Sequence, residues 1–428
     1  MHRQPFGIER NGYVPHRSQA RACVVATEET TMNPNEPSRR NILRAMSSAG
    51  AMAAVAAACS GNRSSPTASS TSQPNASSTA SSLTAATGLS TSSLITTPTV
   101  TAVGSGGYFP AVDMWESATP EDAGWSSTAL DELATTAGAA NSVSLVVVAG
   151  GRIVLERYWG AHQESTTRDI ASCQKSVTST LVGIAIEKGL LQLDDPVSKY
   201  LEPGWTKASP TEEGAILLRH LITMTSGLHP TKLTRVAAPN TTWGYNTDAY
   251  QKTRLVLERA SGQDLDSLAR VWIWDPIGAS TATNWKPRIG LVDAVGSPMW
   301  GLSCTARDMA RFGLLVLRKG EWAGNRLVSE TWLNDATSPS QALNPSYGYL
   351  WWLLGARKNG SRNEVPPDLV AALGAQDQKI YVCPSLDLVL ARQGSAAKGA
   401  AETTSDFDTV LIDGLLAARL PANGTTRR

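Results

Sequence analysis

Asp169-Ile170-Ala171-Ser172-Cys173-Gln174-Lys175-Ser176 opens the stretch DIASCQKSVTSTLVGIAIEKGLLQL, which ends at Leu193 and decides how the rest of the chain is read. Val177, Leu181 and Ile184 recur at helical spacing, so a helix is predicted over 176–188. Ser172 and Lys175 stand where that helix begins. Residues three apart share a helix face, so the Lys ammonium can reach the Ser hydroxyl. The helix N-terminus adds a positive field that favours an alkoxide. A partly desolvated Lys with lowered pKa can take the Ser proton. That is the chemistry an acyl-enzyme needs without histidine. S-x-x-K alone is weak evidence, because about one copy is expected by chance in a chain this size. The alternative is an ordinary helix start with a solvated Lys.

Competing chemistries have little support. There is no G-x-S-x-G nucleophile elbow. Only His162, His220 and His229 lie in the C-terminal three-quarters of the chain, and His220 sits in an apolar helical pattern that reads as structural. No H-E-x-x-H pattern or Cys/His cluster points to a metal, and no cofactor is expected. The five cysteines, Cys23, Cys59, Cys173, Cys304 and Cys383, are too few and too irregular for a disulfide framework. Cys173, Cys304 and Cys383 read as small buried apolar residues. A formal charge of +1 over 428 residues argues against nucleic acid as the main partner.

On either side of the S-x-x-K segment the periodicity changes. A helix is predicted over 127–139. The β-branched run SVSLVVVA at 142–149, the pair Gly150-Gly151 and the run 153–158 read as a hairpin. Helices are predicted over 217–226, 248–261, 264–272 and 305–318. Strands return at 347–353, 372–378, 379–383 and 386–391, and a last helix covers 407–420. Strands at both ends and helices between them predict an α/β (α+β) domain. Its antiparallel sheet is built from both chain ends, flanked by helices, with a mainly helical insertion.

The stretch from Asp169 to Leu193, with Asp194-Asp195-Pro196-Val197 after it, resembles the first motif region of the serine β-lactamase-like and penicillin-binding-protein family. Leu218-Arg219-His220-Leu221-Ile222-Thr223-Met224-Thr225-Ser226-Gly227-Leu228 resembles its next segment. Trp243-Gly244-Tyr245-Asn246-Thr247 falls where the family has Y-x-N, and Gly301-Leu302-Ser303-Cys304-Thr305-Ala306-Arg307-Asp308 resembles a later helix start. The likeness covers roughly 115–420 and points to the branch of class C β-lactamases, esterases and 6-aminohexanoate-dimer hydrolases. It implies a β-lactamase-like fold, with Ser172 as nucleophile and Lys175 as its base. Tyr245 is implied to exchange protons with nucleophile and leaving group, its phenol depressed by Lys175.

Two departures matter. The Asn of Y-x-N is Thr247 here, with Asn246 beside it, and both are candidate substrate contacts. The third motif falls at Ala372-Leu373-Gly374 and lacks the usual Lys or His. Gly374 would keep the backbone open to substrate. The N–H groups of Ser172 and Ala375 would form an oxyanion hole. Without a cation to hold a substrate carboxylate, the resemblance implies an ester or small-amide hydrolase. The alternatives are a β-lactamase or D-amino-acid peptidase of the cell wall, and a non-hydrolytic penicillin-binding-like sensor. Trp243, Trp300, Trp351 and Trp352 are candidates for the cleft wall or the core.

The N-terminal region reads differently. Ser38-Arg39-Arg40-Asn41-Ile42-Leu43-Arg44 looks like a twin-arginine signal, and an Ala-rich stretch over 45–58, too short to span a bilayer of about 30 Å, ends at Cys59. Residues 1–59 are therefore expected to be an export and lipoprotein signal, with Met32 a possible true start. Cys59 is the expected lipidation site, tying the protein to the outer face of the cytoplasmic membrane. Residues 60–107, rich in Ser, Thr and Ala, read as a flexible tether. The hydrolase domain is expected over 108–421, and 422–428 as a tail.

Overall fold

The computed structural model describes residues 107–112, 114–356, 364–397 and 407–421. The twin-arginine run, Cys59, most of the proposed tether and the tail lie outside them. Among the described residues no helix is long and apolar enough to cross a membrane.

The strands, in chain order, are β1 Ser142–Ala149, β2 Arg152–Tyr158, β3 Arg168–Asp169, β4 Asn284–Val292, β5 Pro298–Cys304, β6 Glu321–Trp322, β7 Asn325–Arg326, β8 Trp352–Leu353, β9 Val370–Gly374, β10 Gln378–Cys383 and β11 Leu388–Gly394. The main sheet has the order β2-β1-β11-β10-β9-β8 and its pairs are antiparallel. Val147 lies opposite Leu155 on one side and Leu390 on the other, so the N-terminal hairpin adds to the C-terminal strands. Gly150 and Gly151 turn the hairpin with φ of 61° and 83°, a region glycine enters without a Cβ penalty. A Cβ on Gly151 would also strike the Tyr108 carbonyl.

Among the described residues the five longer helices are α1 Ser127–Ala139, α2 Gln174–Glu187, α3 Thr247–Ser261, α4 Ala306–Leu317 and α5 Phe407–Ala418. Helices α1 and α5 pack together, with α1 against β1 and β2, while α4 packs on β1, β10 and β11. Gly313 permits that approach, since a Cβ there would lie 2.5 Å from Val389. All of β9, β10 and β11 is buried, as expected for a sheet covered on both faces. Helix α2 is buried from Gln174 to Ala185, where a one-faced helix was predicted. It runs between β9, α3 and the short helix Glu330–Ala336, and Gly183 faces the Trp332 ring that a Cβ would strike.

Four expectations about elements give way. The predicted helix over 217–226 is only Leu218–Ile222. It stops because Met224 turns left-handed (φ 61°), and the Met224 carbonyl then accepts the Gly244 N–H at 2.9 Å. The 264–272 helix becomes Leu265–Ala269 followed by a wider π-type turn, Arg270–Trp274. In place of a strand over 347–353 there is a folded loop with Leu350 left-handed, and only Trp352–Leu353 pairs with β9. Gly348 belongs to that loop because a Cβ would meet the Ala336 carbonyl. The run over 372–378 is broken by a tight turn between β9 and β10. A second sheet, β3-β5-β4, was not foreseen, since the sequence of β4, NWKPRIGLV, mixes Pro, Gly and charges without alternation.

Candidate active site

The two sheets meet the central helix at Ser172. Strand β3 pairs with β5, and the Ile170 N–H donates to the Leu302 carbonyl at 3.0 Å. Asp169 then caps the turn by accepting the Ala171 N–H at 2.7 Å. Its carboxylate is gripped by Arg288 of β4 through two bonds of 2.7 and 2.8 Å. Ala171 has φ of 50°, a conformation an L-residue holds only when its surroundings fix it. One 3-10 turn, Ala171–Cys173, carries Ser172 into α2.

Lys175 Nζ donates to Ser172 Oγ at 3.0 Å and lies 3.4 Å from Thr247 Oγ1. The ammonium nitrogen is 5.0 Å from the centre of the Tyr245 ring and 4.5 Å from that of Tyr250. Lys175 is 2% exposed. Burial, helped by the positive charge of Arg288, pushes its pKa down to about 7. A Lys so placed is partly neutral near pH 7 and can accept a proton.

Tyr245 is buried, with the Lys175 ammonium 5.0 Å from its ring centre. Burial pushes its pKa up, contrary to the expectation that Lys175 would depress it. Desolvation of the phenolate is the largest cause and outweighs the lowering influence of the neighbouring Ser172. In the resting site Tyr245 is a protonated phenol able to donate. Trp352 stacks on its ring at 5.8 Å.

The substrate-contact expectation for Asn246 is corrected. Its Oδ1 accepts the Ala249 N–H at 2.8 Å as the N-cap of α3, and its Nδ2 donates to the Leu228 carbonyl at 3.1 Å. The amide is occupied in holding the Tyr245 loop. Thr247 is the member of the pair that reaches Lys175.

Gly374 packs closely on the turn that carries Ser172. A Cβ there would lie 2.5 Å from the Ile170 carbonyl and 3.2 Å from Ala171 Cβ. Glycine lets the end of β9 close on the turn before Ser172, which brings Ala375 to that turn.

Several residues at the site had no sequence signal. Gln174, inside S-x-x-K, accepts the Leu302 N–H at 2.9 Å and donates to the Trp300 carbonyl at 3.0 Å. Gln251 bonds the Trp300 N–H and carbonyl. These two amides fasten β5 to α2 and α3. Lys252 and Asp293 form an ion pair at 2.5 Å, each side chain 1% exposed, that pins the β4–β5 turn to α3. All depend on contacts distant in sequence.

The remaining candidates are structural in their contacts. His220 Nδ1 accepts the Leu217 N–H at 3.0 Å. Cys173, Cys304 and Cys383 are free and buried. Trp351 stacks on Phe312 in the core, while Trp243 is partly exposed and packs edge-on to Tyr347 and Trp352. Among the described residues no group of His, Cys, Asp or Glu is placed to hold a metal ion.

Comparison with known proteins places this geometry in context. Residues 128–412 match the family model described as Beta-lactamase. An uncharacterised protein of Alkalihalophilus pseudofirmus is 26% identical over 289 residues, covering 59% of this chain and 83% of that protein. The 6-aminohexanoate-dimer hydrolase of Paenarthrobacter ureafaciens is 23% identical over 298 residues, covering 59% of this chain and 72% of its own length. The crystal structure of a β-lactamase/D-alanine carboxypeptidase from Yersinia pestis superposes with a TM-score of 0.54 at 19% identity, over 68% of this chain and 97% of that one. The last likeness is one of fold.

Proposed function

Because the chain belongs to the β-lactamase family, we propose that it is a serine hydrolase acting through an acyl-enzyme on an ester or small amide. The observation that carries this reading is the 3.0 Å bond between a buried Lys175 of lowered pKa and the Ser172 hydroxyl. Neutral Lys175 takes the Ser172 proton as Oγ attacks the carbonyl. The oxyanion is held by the backbone N–H groups of Ser172 and Ala375. When the tetrahedral intermediate collapses, the bond to the leaving group breaks and Tyr245 gives that group its proton. The Lys175 ammonium then reprotonates the phenolate. Water repeats the sequence in reverse on the acyl-enzyme, releasing the acid and restoring Ser172.

The third-motif position carries no Lys or His, which supports a substrate without a carboxylate beside the scissile bond. The experiment is turnover of 4-nitrophenyl esters and of a chromogenic cephalosporin by the purified protein and by Ser172→Ala, with a fluorophosphonate label. Ester turnover and labelling lost in Ser172→Ala support the reading. Cephalosporin turnover at a higher kcat/KM than any ester would favour a β-lactamase. A protein that neither turns over nor labels would be a binding protein. We also propose, from the sequence up to Cys59, export by the twin-arginine route and lipid attachment. Mass spectrometry of the mature N-terminus tests this, and a chain beginning anywhere but at a diacylated Cys59 would refute it.

A further inference from the structure

Next to the site, one buried charge is used in an unusual way. Arg392 in β11 is 0% exposed, and an arginine has five N–H donors. Nη1 donates to the carbonyls of Gln376 and Asp377 at 2.8 and 2.9 Å. Nη2 donates to those of Ala140 and Ser395 at 3.2 and 2.9 Å, and Nε to the Ser142 hydroxyl at 2.9 Å. The Phe407 ring centre lies 5.2 Å from the guanidinium. Gly394 leaves room for it, since a Cβ there would strike the guanidinium.

Two of these acceptors belong to residues that need support. Gln376 and Asp377 are consecutive non-glycine residues with φ of 61° and 58°. Such a turn persists only where its surroundings over-determine it. The brace is completed by Gln376 Oε1, which accepts the Ala396 N–H at 2.9 Å, and by Gln378 Nε2, which donates to the Gly394 carbonyl at 2.6 Å. The residue that enters this turn is Ala375.

We propose that Arg392 is a positioning residue for the oxyanion hole. By holding the carbonyls of Gln376 and Asp377 from within the core, it fixes the left-handed turn and with it the direction of the Ala375 N–H. The inference rests on the reading of Ala375 as an oxyanion donor. It explains why a cation is buried with four backbone carbonyls and one hydroxyl as its acceptors. Arg392→Lys keeps the charge and loses the fork that spans two carbonyls.

The test is steady-state hydrolysis of a 4-nitrophenyl ester, the rate of fluorophosphonate labelling and a thermal melt. They are run on wild type, Arg392→Lys, Gln376→Gly and Ser172→Ala. For folded Arg392→Lys, kcat falls about 100-fold, the size of losing one oxyanion donor, with KM held within about twofold. Labelling slows in parallel. Gln376 is exposed, so Gln376→Gly folds whatever the fate of the arginine variant. It relieves the strained φ and removes the Gln376 Oε1 brace while Arg392 still holds both carbonyls, so kcat stays within about threefold, and a loss as large as that of Arg392→Lys would show that the Gln376 side chain and not the arginine fixes the turn. Folded Arg392→Lys with wild-type kcat would overturn the proposal while leaving the serine-hydrolase reading intact. If Arg392→Lys does not fold, Ser142→Ala, which removes only the acceptor of Arg392 Nε, takes its place, and wild-type kcat in that variant would do the same. Turnover surviving in Ser172→Ala would instead remove the reading on which the proposal stands.

Discussion

The protonation state of Lys175 should set the pH dependence of acylation, and the size of the effect follows from the structure. Burial first, and the Arg288 charge second, bring its pKa to about 7. Only the neutral amine can take the Ser172 proton. With a pKa of about 7, roughly one-tenth of the molecules carry it at pH 6 and about nine-tenths at pH 8, so the acylation rate should rise about tenfold between them. A Lys at its ordinary pKa of about 10.4 would show no plateau before pH 10. The assay is the second-order rate of fluorophosphonate labelling from pH 5.5 to 9, with a reagent that does not titrate there. Arg288→Met supplies an internal check. It removes one cause of the depression, so the inflection should move to higher pH and the rate at pH 7 should fall. A flat profile across this range, or an unmoved inflection in folded Arg288→Met, would refute the reasoning.

Three further outcomes are expected. Lys175→Met should inactivate the protein yet raise its thermal midpoint at neutral pH. A folded-state pKa depressed to about 7 means the unfolded chain binds more protons between that value and about 10.4, so wild-type stability should climb with pH in that window and the advantage of the variant should shrink. Denaturant midpoints at pH 7 and pH 9 test it, and an equal gain at both would contradict it. Gly374→Ala places a Cβ 2.5 Å from the Ile170 carbonyl, so β9 must retreat from the Ser172 turn. A loss in kcat larger than any change in KM is expected from ester kinetics. Lys252→Met leaves Asp293 buried without its ion-pair partner, and urea unfolding should show a destabilisation of about 3–5 kcal/mol.

The local chemistry was legible because it is written in short spacings. Ser172 and Lys175 meet because three residues of helix bring them together, and the hairpin over 142–158 announces itself by β-branched runs around Gly150-Gly151. The limits of α1 and β1 follow from the same patterns. What failed were judgements about elements whose ends are fixed from elsewhere. The 217–226 segment has helical composition, but Met224 must turn left-handed to meet the Tyr245 loop. Asn246 looked like a substrate contact because of its neighbours, whereas its amide is used by the backbone of its own helix and by Leu228. The close packing of Gly374 on the Ile170 carbonyl was not legible either, because it joins two segments about two hundred positions apart.

By itself the sequence determined the longer helices and most strands of the main sheet, the pairing of Ser172 with Lys175, and the family-like arrangement of segments around them. Those depend on periodicities of a few residues, which any short window of the chain contains. The tertiary structure decided the rest. The burial that lowers the pKa of Lys175 and raises that of Tyr245 comes from the rings and helices packed around them. Asp169 and Arg288, Lys252 and Asp293, and Arg392 with the Gln376–Asp377 turn meet only when the chain has folded. Their desolvation and mutual charge, which set the electrostatics and rigidity of the site, do not exist until residues 15 to 119 positions apart are brought into contact.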